Sequence, residues 1–226
     1  MSDFVARRLM MVDTQVRPSD VTKFPIIEAM LTVQRELFVP RDKREAAYVG
    51  ENVDLGDGRV LLEARSLAKM LDALDLQKTD LVLDIGAGLG YSSAVMARMS
   101  EAVVALEDTP ERLAEAQDAL TEAEAYNVIL QQGDLAEGAA QHGPYDVIVI
   151  EGAVERVPPG LEAQLKEGGR IACIFSDAAL GTANIGYKLN GRVTWRELFN
   201  AGAPLLPGLQ AARSFAFQSP LRGLRL

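Results

Sequence analysis

The sequence contains very little cysteine and histidine. Cys173 is the one cysteine and His142 the one histidine among 226 residues. A lone cysteine cannot form an internal disulfide, and the two residues together cannot build a zinc site of Cys and His ligands. We therefore expect a protein of a reducing compartment with no metal site, in which Cys173 is a buried, inert thiol.

Long apolar runs and a basic surface are also missing. No stretch approaches the roughly 18 apolar residues of a membrane span, and residues 9–12 fall short of the roughly 7–15 apolar residues of a secretory signal. The 32 acidic residues against 23 Lys and Arg give a formal charge of −9. That sign is unfavourable for nucleic acid and for anionic membranes. We expect a cytoplasmic protein whose main partner is neither of these.

Apolar segments typical of strands alternate with helical segments from about residue 79 onward. The strands are predicted at LVLDIG, AVVALE, NVILQQ, YDVIVIEG and GGRIACIF, with helices between them at 91–99, 110–123, 135–141 and 159–166. This alternation indicates an α/β fold, an open, doubly wound and mostly parallel sheet with helices on its faces. Further closing strands are expected at 187–189, 192–198 and 214–218.

The residues before this region have a different pattern. Apolar side chains recur at helical spacing over 21–36 and 63–76, which predicts two helices with one apolar face each. We interpret residues 1–226 as a single domain, in which residues 1–78 form an N-terminal helical or lid region. Residues 79–219 then form the Rossmann-like core with its closing strands.

The first predicted strand of the core leads into a glycine-rich turn. Gly86, Gly88 and Gly90 have the spacing GxGxG, which matches neither GxxxxGK[ST] of triphosphate loops nor GxGxxG of dinucleotide sites. Asp84 precedes them, and its charge would repel phosphate. S-adenosylmethionine carries an ammonium and a sulfonium and no phosphate, so Asp84 favours that ligand. An NAD-dependent oxidoreductase is a weaker alternative.

Acidic residues also end the next three strands. Glu107 is placed to bind the two ribose hydroxyls of a nucleoside, Asp134 to accept from the adenine amino group, and Glu151 to face the methyl-transfer cleft. The reason is that ligands of open parallel sheets bind at the carboxyl ends of the strands. The predicted cofactor-binding residues are Asp84, Gly86, Ala87, Gly88, Glu107, Asp108, Asp134, Leu135 and Glu151.

Several longer stretches, over roughly residues 11–217, resemble the protein-L-isoaspartate O-methyltransferase family. They are VDTQVRPSDV, AMLTVQRELFVP, AYVGENVDLGDG, VLDIGAGLGYSSAVMA, QQGDL, YDVIVIEGAVERVPPGLEAQLKEGGRI and FAF. The resemblance implies a seven-stranded methyltransferase sheet with an N-terminal helical region that covers S-adenosylmethionine. It also implies methylation of the isoaspartyl carboxylate of damaged proteins or peptides.

The chain departs from the family pattern in the stretch GRVLLEA, residues 58–64. The family has hydroxyl residues beside the transferred methyl, where this chain has Val60 and Leu62. Arg59 and Arg65 are candidates to orient an acceptor carboxylate, with Ser66 as a further donor, although both arginines also suit the surface of a lid helix. Together with Leu62 they are the predicted catalytic residues.

The loss of the hydroxyls does not by itself exclude the reaction. An acceptor carboxylate is already ionised at neutral pH and needs no general base, so orientation and exclusion of water supply most of the advantage. We therefore predict carboxyl methylation that is slowed or redirected. The alternatives are a methyltransferase for a small-molecule acceptor, which apolar Val60 and Leu62 would suit, and a cofactor-binding module without turnover.

Overall fold

The computed structural model describes residues 3–176 and 181–211. The helices are α1 Phe4–Met11, α2 Phe24–Thr32, α3 Ala64–Leu74, α4 Tyr91–Ala97, α5 Pro110–Glu122 and α6 Pro159–Ala163. The strands are β1 Val53–Gly56, β2 Arg59–Leu61, β3 Leu81–Ile85, β4 Ala102–Glu107, β5 Val128–Gln132, β6 Tyr145–Val154, β7 Leu165–Ser176, β8 Gly181–Leu189 and β9 Arg192–Asn200.

Seven of these strands form one sheet in the order β5-β4-β3-β6-β7-β8-β9. The five strands β3 to β7 pair in parallel, and β8 pairs antiparallel with both β7 and β9. The seven-stranded, mostly parallel fold is thereby confirmed, and the five predicted core strands fall where the apolar segments place them. The strands β3, β4 and β5 follow one another towards one edge of the sheet, and the chain then returns to place β6 on the other side of β3. Open α/β sheets bind ligands at such a point, where the strand order changes direction.

The central strands of the sheet are buried on both faces. In β3, Val82 belongs to the apolar cluster that also contains Met30 and Leu67 from the N-terminal helices, whereas Leu83 and Ile85 belong to the cluster on the opposite face. Alternate strand residues point to opposite faces, so a strand covered on both sides needs apolar residues throughout. This explains why the core strands are continuous apolar runs. Cys173 is fully buried, as expected.

Two predicted helices differ from the structure. The helix predicted over 135–141 is wrong, because the chain forms only a 3₁₀ turn at Ala140–His142 after Gly138, whose φ of +71° interrupts a helix. The helix predicted over 21–36 ends at Thr32, because Val33 is extended with ψ 125°. A 3₁₀ turn, Arg35–Phe38, follows it.

Two short strands, β1 and β2, precede the core and were not predicted. The antiparallel hairpin of β1 and β2 lies in the region predicted to be helical or irregular. Asp57 and Gly58, with φ of +49° and +72°, form its turn, and an Asp-Gly pair is a known hairpin signal that could have predicted it. The closing strand predicted over 214–218 lies outside the described residues.

Within residues 3–176 and 181–211, every helix is too short or too polar to cross a bilayer. The same ranges hold no group of three or more His, Cys, Asp or Glu side chains placed to bind a metal ion.

Candidate functional site

The glycine turn after β3 has the conformation that its glycines predict. Gly86, Gly88 and Gly90 have φ of +72°, +61° and +95°, values that residues with a side chain rarely adopt. The turn is closed by a bond from the Gly90 N–H to the carbonyl of Ala87 (2.9 Å) and anchored to β4 by a bond from the Gly86 N–H to the carbonyl of Leu106 (3.0 Å).

Asp84 lies fully buried beneath this turn. Its Oδ2 accepts from the hydroxyls of Ser92 and Ser93 at 2.7 and 2.5 Å, while Oδ1 has no hydrogen-bond partner. Burial raises the pKa of Asp84 to about 6, against the opposing effect of the two serine bonds. A buried carboxylate oxygen without a partner is costly, and a cationic donor would satisfy it.

Glu151 supplies a second buried carboxylate on the neighbouring strand β6. Its side chain is 5% exposed and its Oε1 is also without a hydrogen-bond partner. Burial, and then the charge of Asp84, raise the pKa of Glu151 well above its usual value, while Arg35 acts in the opposite direction. Two acids that repel each other, each with one buried oxygen that has no donor, favour a positively charged ligand.

Sequence reasoning missed Arg35, which is completely buried and whose charge acts on Glu151. Its Nε donates to the carbonyl of Ala47 at 2.6 Å and its Nη2 to the carbonyl of Leu62 at 2.7 Å. The guanidinium lies 4.7 Å from the ring centroid of Tyr91, the first residue of α4. The stretch RELFVP contains Arg35, but nothing local in that sequence indicates a buried arginine.

Glu107, the predicted ribose ligand, is engaged by the protein itself. Its Oε1 accepts from the Gly88 N–H at 2.7 Å and from Arg59 Nε at 3.2 Å. Its Oε2 lies 3.4 Å from both Nε and Nη2 of Arg59, and it accepts from the Asp108 N–H at 3.2 Å. The Glu107 and Arg59 side chains are each 1% exposed.

Arg59, a predicted catalytic residue, is bound to acidic side chains of the protein. Its Nη2 donates to Asp108 Oδ2 at 2.8 Å in addition to its contacts with Glu107. The guanidinium lies inside the protein rather than on the surface of a lid, and its donors already serve two carboxylates. While these bonds are in place, Arg59 is not available to an acceptor carboxylate.

The other three predicted catalytic residues are placed differently from one another. Ser66 is buried and donates to Glu63 Oε1 at 2.6 Å, so its hydroxyl is committed to a neighbour. The Arg65 side chain is 40% exposed and lies over the ring of Phe199 at 5.4 Å. This placement agrees with the alternative that Arg65 is a surface residue. Leu62 is 1% exposed and brings no polar side-chain atom.

A cavity of about 390 Å³ lies beside Asp134, the residue predicted to bind adenine. Its lining residues are Asp108, Gln132, Gly133, Asp134, Leu135, Pro207 and Gly208. Asp134 is exposed there, and its Oδ1 accepts from the Ala136 N–H at 2.8 Å. The structure thus brings Asp108, Asp134 and Leu135 together, at the edge of the sheet where β4 and β5 end.

Sequence reasoning also missed the segment 204–209, which crosses the end of β6. The Ala153 N–H donates to the carbonyl of Pro204 and the Leu206 N–H to the carbonyl of Ala153, at 2.8 and 2.9 Å. Leu206 is 1% exposed, and a Cβ atom added at Gly86 would lie 2.9 Å from its Cδ1. No periodic pattern in APLLPG signals this position.

The glycine turn lies where the strand order changes direction, and acids stand at the ends of successive strands. This combination is typical of Rossmann-like, S-adenosylmethionine-dependent methyltransferases. The family model described as protein-L-isoaspartate(D-aspartate) O-methyltransferase matches residues 9–179. The chain therefore belongs to that family, whose members are S-adenosylmethionine-dependent methyltransferases.

Relatives and solved structures agree with this assignment. A protein-L-isoaspartate O-methyltransferase of Syntrophus aciditrophicus is 35% identical over 76% of this chain and 78% of its own length, and one of Koribacter versatilis is 31% identical over 88% and 89%. A solved protein-L-isoaspartate O-methyltransferase superposes with a TM-score of 0.79 at 25% identity, over 90% of this chain and 67% of that one. A Plasmodium falciparum structure in complex with S-adenosyl-L-homocysteine shares the fold, with a TM-score of 0.77 at 18% identity over 91% and 99%.

The donor chemistry of the site fits this cofactor. Asp84 Oδ1 and Glu151 Oε1 are buried acceptors without donors, and the ammonium of this cofactor is a cationic donor of the kind that satisfies such oxygens. The predictions of the family, the fold and the cofactor are confirmed. The roles of individual residues stay predictions.

Proposed function

We propose that the protein transfers a methyl group from S-adenosylmethionine to a carboxylate, in particular the isoaspartyl carboxylate of damaged proteins or peptides. One observation supports it beyond the family relationship. Two buried carboxylates on neighbouring strands, Asp84 and Glu151, each carry an oxygen without a donor. Such a site attracts a cationic ligand and repels the phosphates of a dinucleotide. We infer that the protein works in the cytoplasm.

The residues proposed to hold the cofactor are those that surround the glycine turn. Asp84 and Glu151 would bind the cationic part, the backbone from Gly86 to Gly88 would lie against it, and the residues beside the 390 Å³ cavity, Asp108, Asp134 and Leu135, would bind the base. Glu107 would bind the ribose. When bound, the cofactor supplies an electrophilic methyl group.

The chain's own contribution to the reaction is to orient the acceptor and exclude water. Leu62, held through its carbonyl by Arg35, forms an apolar wall that keeps water from the reacting groups. The acceptor needs no general base, so no proton transfer is required of the protein.

The direct test is methyl transfer from tritiated S-adenosylmethionine to an isoaspartyl peptide, with the normal aspartyl peptide as its control. We expect label on the isoaspartyl peptide alone, released by mild base as the ester hydrolyses. Asp84→Asn should weaken binding of S-adenosylhomocysteine by about tenfold or more, because a charge-assisted bond is lost. Equal background labelling of both peptides would exclude the isoaspartyl activity.

A second candidate is a cofactor-binding module without turnover. It is favoured by the absence of a free hydroxyl at the predicted methyl position, since Leu62 is apolar and the Ser66 hydroxyl is bound to Glu63. Calorimetry would then show cofactor binding, while no acceptor in a peptide mixture or a metabolite extract would be labelled. Labelling of a metabolite but not of the peptide would instead indicate a small-molecule methyltransferase.

A further inference from the structure

The predicted ribose site is filled by the protein's own arginine. Arg59 makes three contacts of 3.2 to 3.4 Å with the two oxygens of Glu107, and the N–H groups of Gly88 and Asp108 donate to the same carboxylate. A ribose diol donates two hydrogen bonds and would need these same oxygens. A guanidinium fork is the side-chain group that best satisfies a carboxylate in the same bidentate manner.

The hairpin of β1 and β2 that carries Arg59 also covers the glycine turn. A Cβ atom added at Gly88 would lie 2.8 Å from Leu55 Cδ1, so this side chain lies directly on the turn. Leu55 and Arg59 come from the two strands of one hairpin. The space that Gly88 leaves next to its backbone is therefore occupied by Leu55 of the protein itself.

The hairpin also has polar contacts on either side of it and at its turn: Arg35 donates to the carbonyls of Ala47 and Leu62, and the turn lies near Arg112. Asp57, at the hairpin turn, has a side chain that is 93% exposed and lies 3.5 Å from Arg112 Nη2. Exposed ion pairs of this kind contribute little. Arg59 thus forms a buried polar link between the hairpin and the end of β4, through Glu107 and, at 2.8 Å, through Asp108.

We propose that Arg59 is an internal competitor for the cofactor: it occupies the ribose position on Glu107, and the hairpin must withdraw before a nucleoside can bind. The inference rests on the proposed function, because it concerns the regulation of the same site. The apparent affinity for the cofactor is then reduced by the fraction of molecules in which the hairpin is withdrawn.

The test is calorimetric titration with S-adenosylhomocysteine of the wild type, Arg59→Met and Arg112→Met. Methionine keeps an unbranched stem but removes the donors, so Arg59→Met should bind about tenfold more tightly or better. Arg112 is the matched control, since it reaches the same acids, Glu107 at 3.6 Å and Asp108 at 3.3 Å, from α5 rather than from the hairpin. Its substitution should leave the affinity nearly unchanged.

Thermal unfolding without ligand separates competition from a structural role. Loss of Arg59 leaves the buried Glu107 with only the more distant cation of Arg112, at 3.6 Å, so Arg59→Met should unfold at a lower temperature and yet bind more tightly. Affinity equal to or below that of the wild type would overturn the inference. If none of the three proteins binds, the proposed function fails, and this inference with it.

Hydrogen exchange of the wild type tests the same inference without a variant. Addition of S-adenosylhomocysteine should protect the glycine turn and at the same time speed exchange in residues 53–61, because the hairpin loses its contact with Glu107. Protection of both regions would show that the hairpin closes over the ligand instead, and would overturn the inference. Arg59→Lys, which keeps the charge, should have an affinity between those of the wild type and Arg59→Met.

Discussion

The buried guanidinium of Arg35 donates from Nη2 to the carbonyl oxygen of Leu62 across 2.7 Å. A second bond, from Nε to the carbonyl of Ala47, ties the same side chain to the segment before the β1–β2 hairpin. One arginine thereby fixes the backbone on both sides of the hairpin. Its place beside Tyr91 connects this region to the helix that follows the glycine turn.

Substitution of Arg35 by Met should therefore destabilise the protein. The carbonyls of Ala47 and Leu62 would remain buried without donors, at a cost of roughly 2–4 kcal/mol in the free energy of unfolding. Urea denaturation measures this value. Arg65→Met is the control, because a partly exposed arginine should cost less than about 1 kcal/mol. Equal midpoints for the two variants would contradict the assigned role of Arg35.

The raised pKa of Asp84 predicts how stability depends on pH. An acid whose folded pKa lies above its unfolded value stabilises the fold fully below the unfolded pKa, and this stabilisation is lost as pH rises through the folded pKa. With a pKa of about 6 against a usual 3.8, the ligand-free protein should lose about 3 kcal/mol through this group between about pH 4 and 6. Binding of a cationic cofactor should strengthen over the same range, since it prefers the ionised carboxylate.

Asp84→Asn tests this directly. The variant cannot ionise, so at pH 7 its free energy of unfolding should exceed that of the wild type by roughly 1–3 kcal/mol, while near pH 4 the two should agree. Asp146→Asn should behave oppositely. Although burial acts to raise it, the bonds from the Leu81 N–H and Lys166 lower the pKa of Asp146, so its loss destabilises at pH 7. A less stable Asp84→Asn at pH 7 would refute the assignment.

The sequence was informative where one local pattern determines one local structure. The apolar run before Gly86 predicts a strand buried on both faces, and Gly86, Gly88 and Gly90 predict a turn of positive φ angles. Because parallel strands end at one edge, the acids Asp84 and Glu107 were expected to lie together, and their charges affect each other in the structure.

Contacts between distant parts of the chain were not predictable in this way. Arg59 and Glu107 are separated by 48 positions, and nothing near either residue identifies the other as its partner. Leu206 covers Gly86 through backbone bonds to Ala153, a placement determined by tertiary structure rather than by periodicity. These long-range contacts fill the space that the local patterns had assigned to a ligand.

Leu62→Ser tests whether a hydroxyl is what the site lacks. If turnover is limited by its absence, the variant should methylate the isoaspartyl peptide faster than the wild type at saturating cofactor. The buried leucine leaves a cavity, so a loss of about 2–4 kcal/mol in stability should accompany the gain. Leu61→Ser, at a neighbouring position that is 7% exposed, is the control for that loss. Similar rates for both variants would show that the hydroxyl is not limiting.

The contact between Gly152 and Leu206 predicts that one added methyl group at position 152 lowers the stability of the protein. A Cβ atom at position 152 would lie 2.5 Å from Leu206 Cγ, and Leu206 is held by its backbone bond to Ala153, so neither residue can easily yield. Gly152→Ala should cost roughly 1–3 kcal/mol in the free energy of unfolding. Leu206→Ala should remove the clash, so that the double variant is more stable than the sum of the single changes predicts.

Gly160→Ala, in α6 with open space around the added atom, should be neutral or stabilising by about 0.5–1 kcal/mol. Additive effects of the first two substitutions in chemical denaturation would show that Leu206 does not lie on Gly152 in solution.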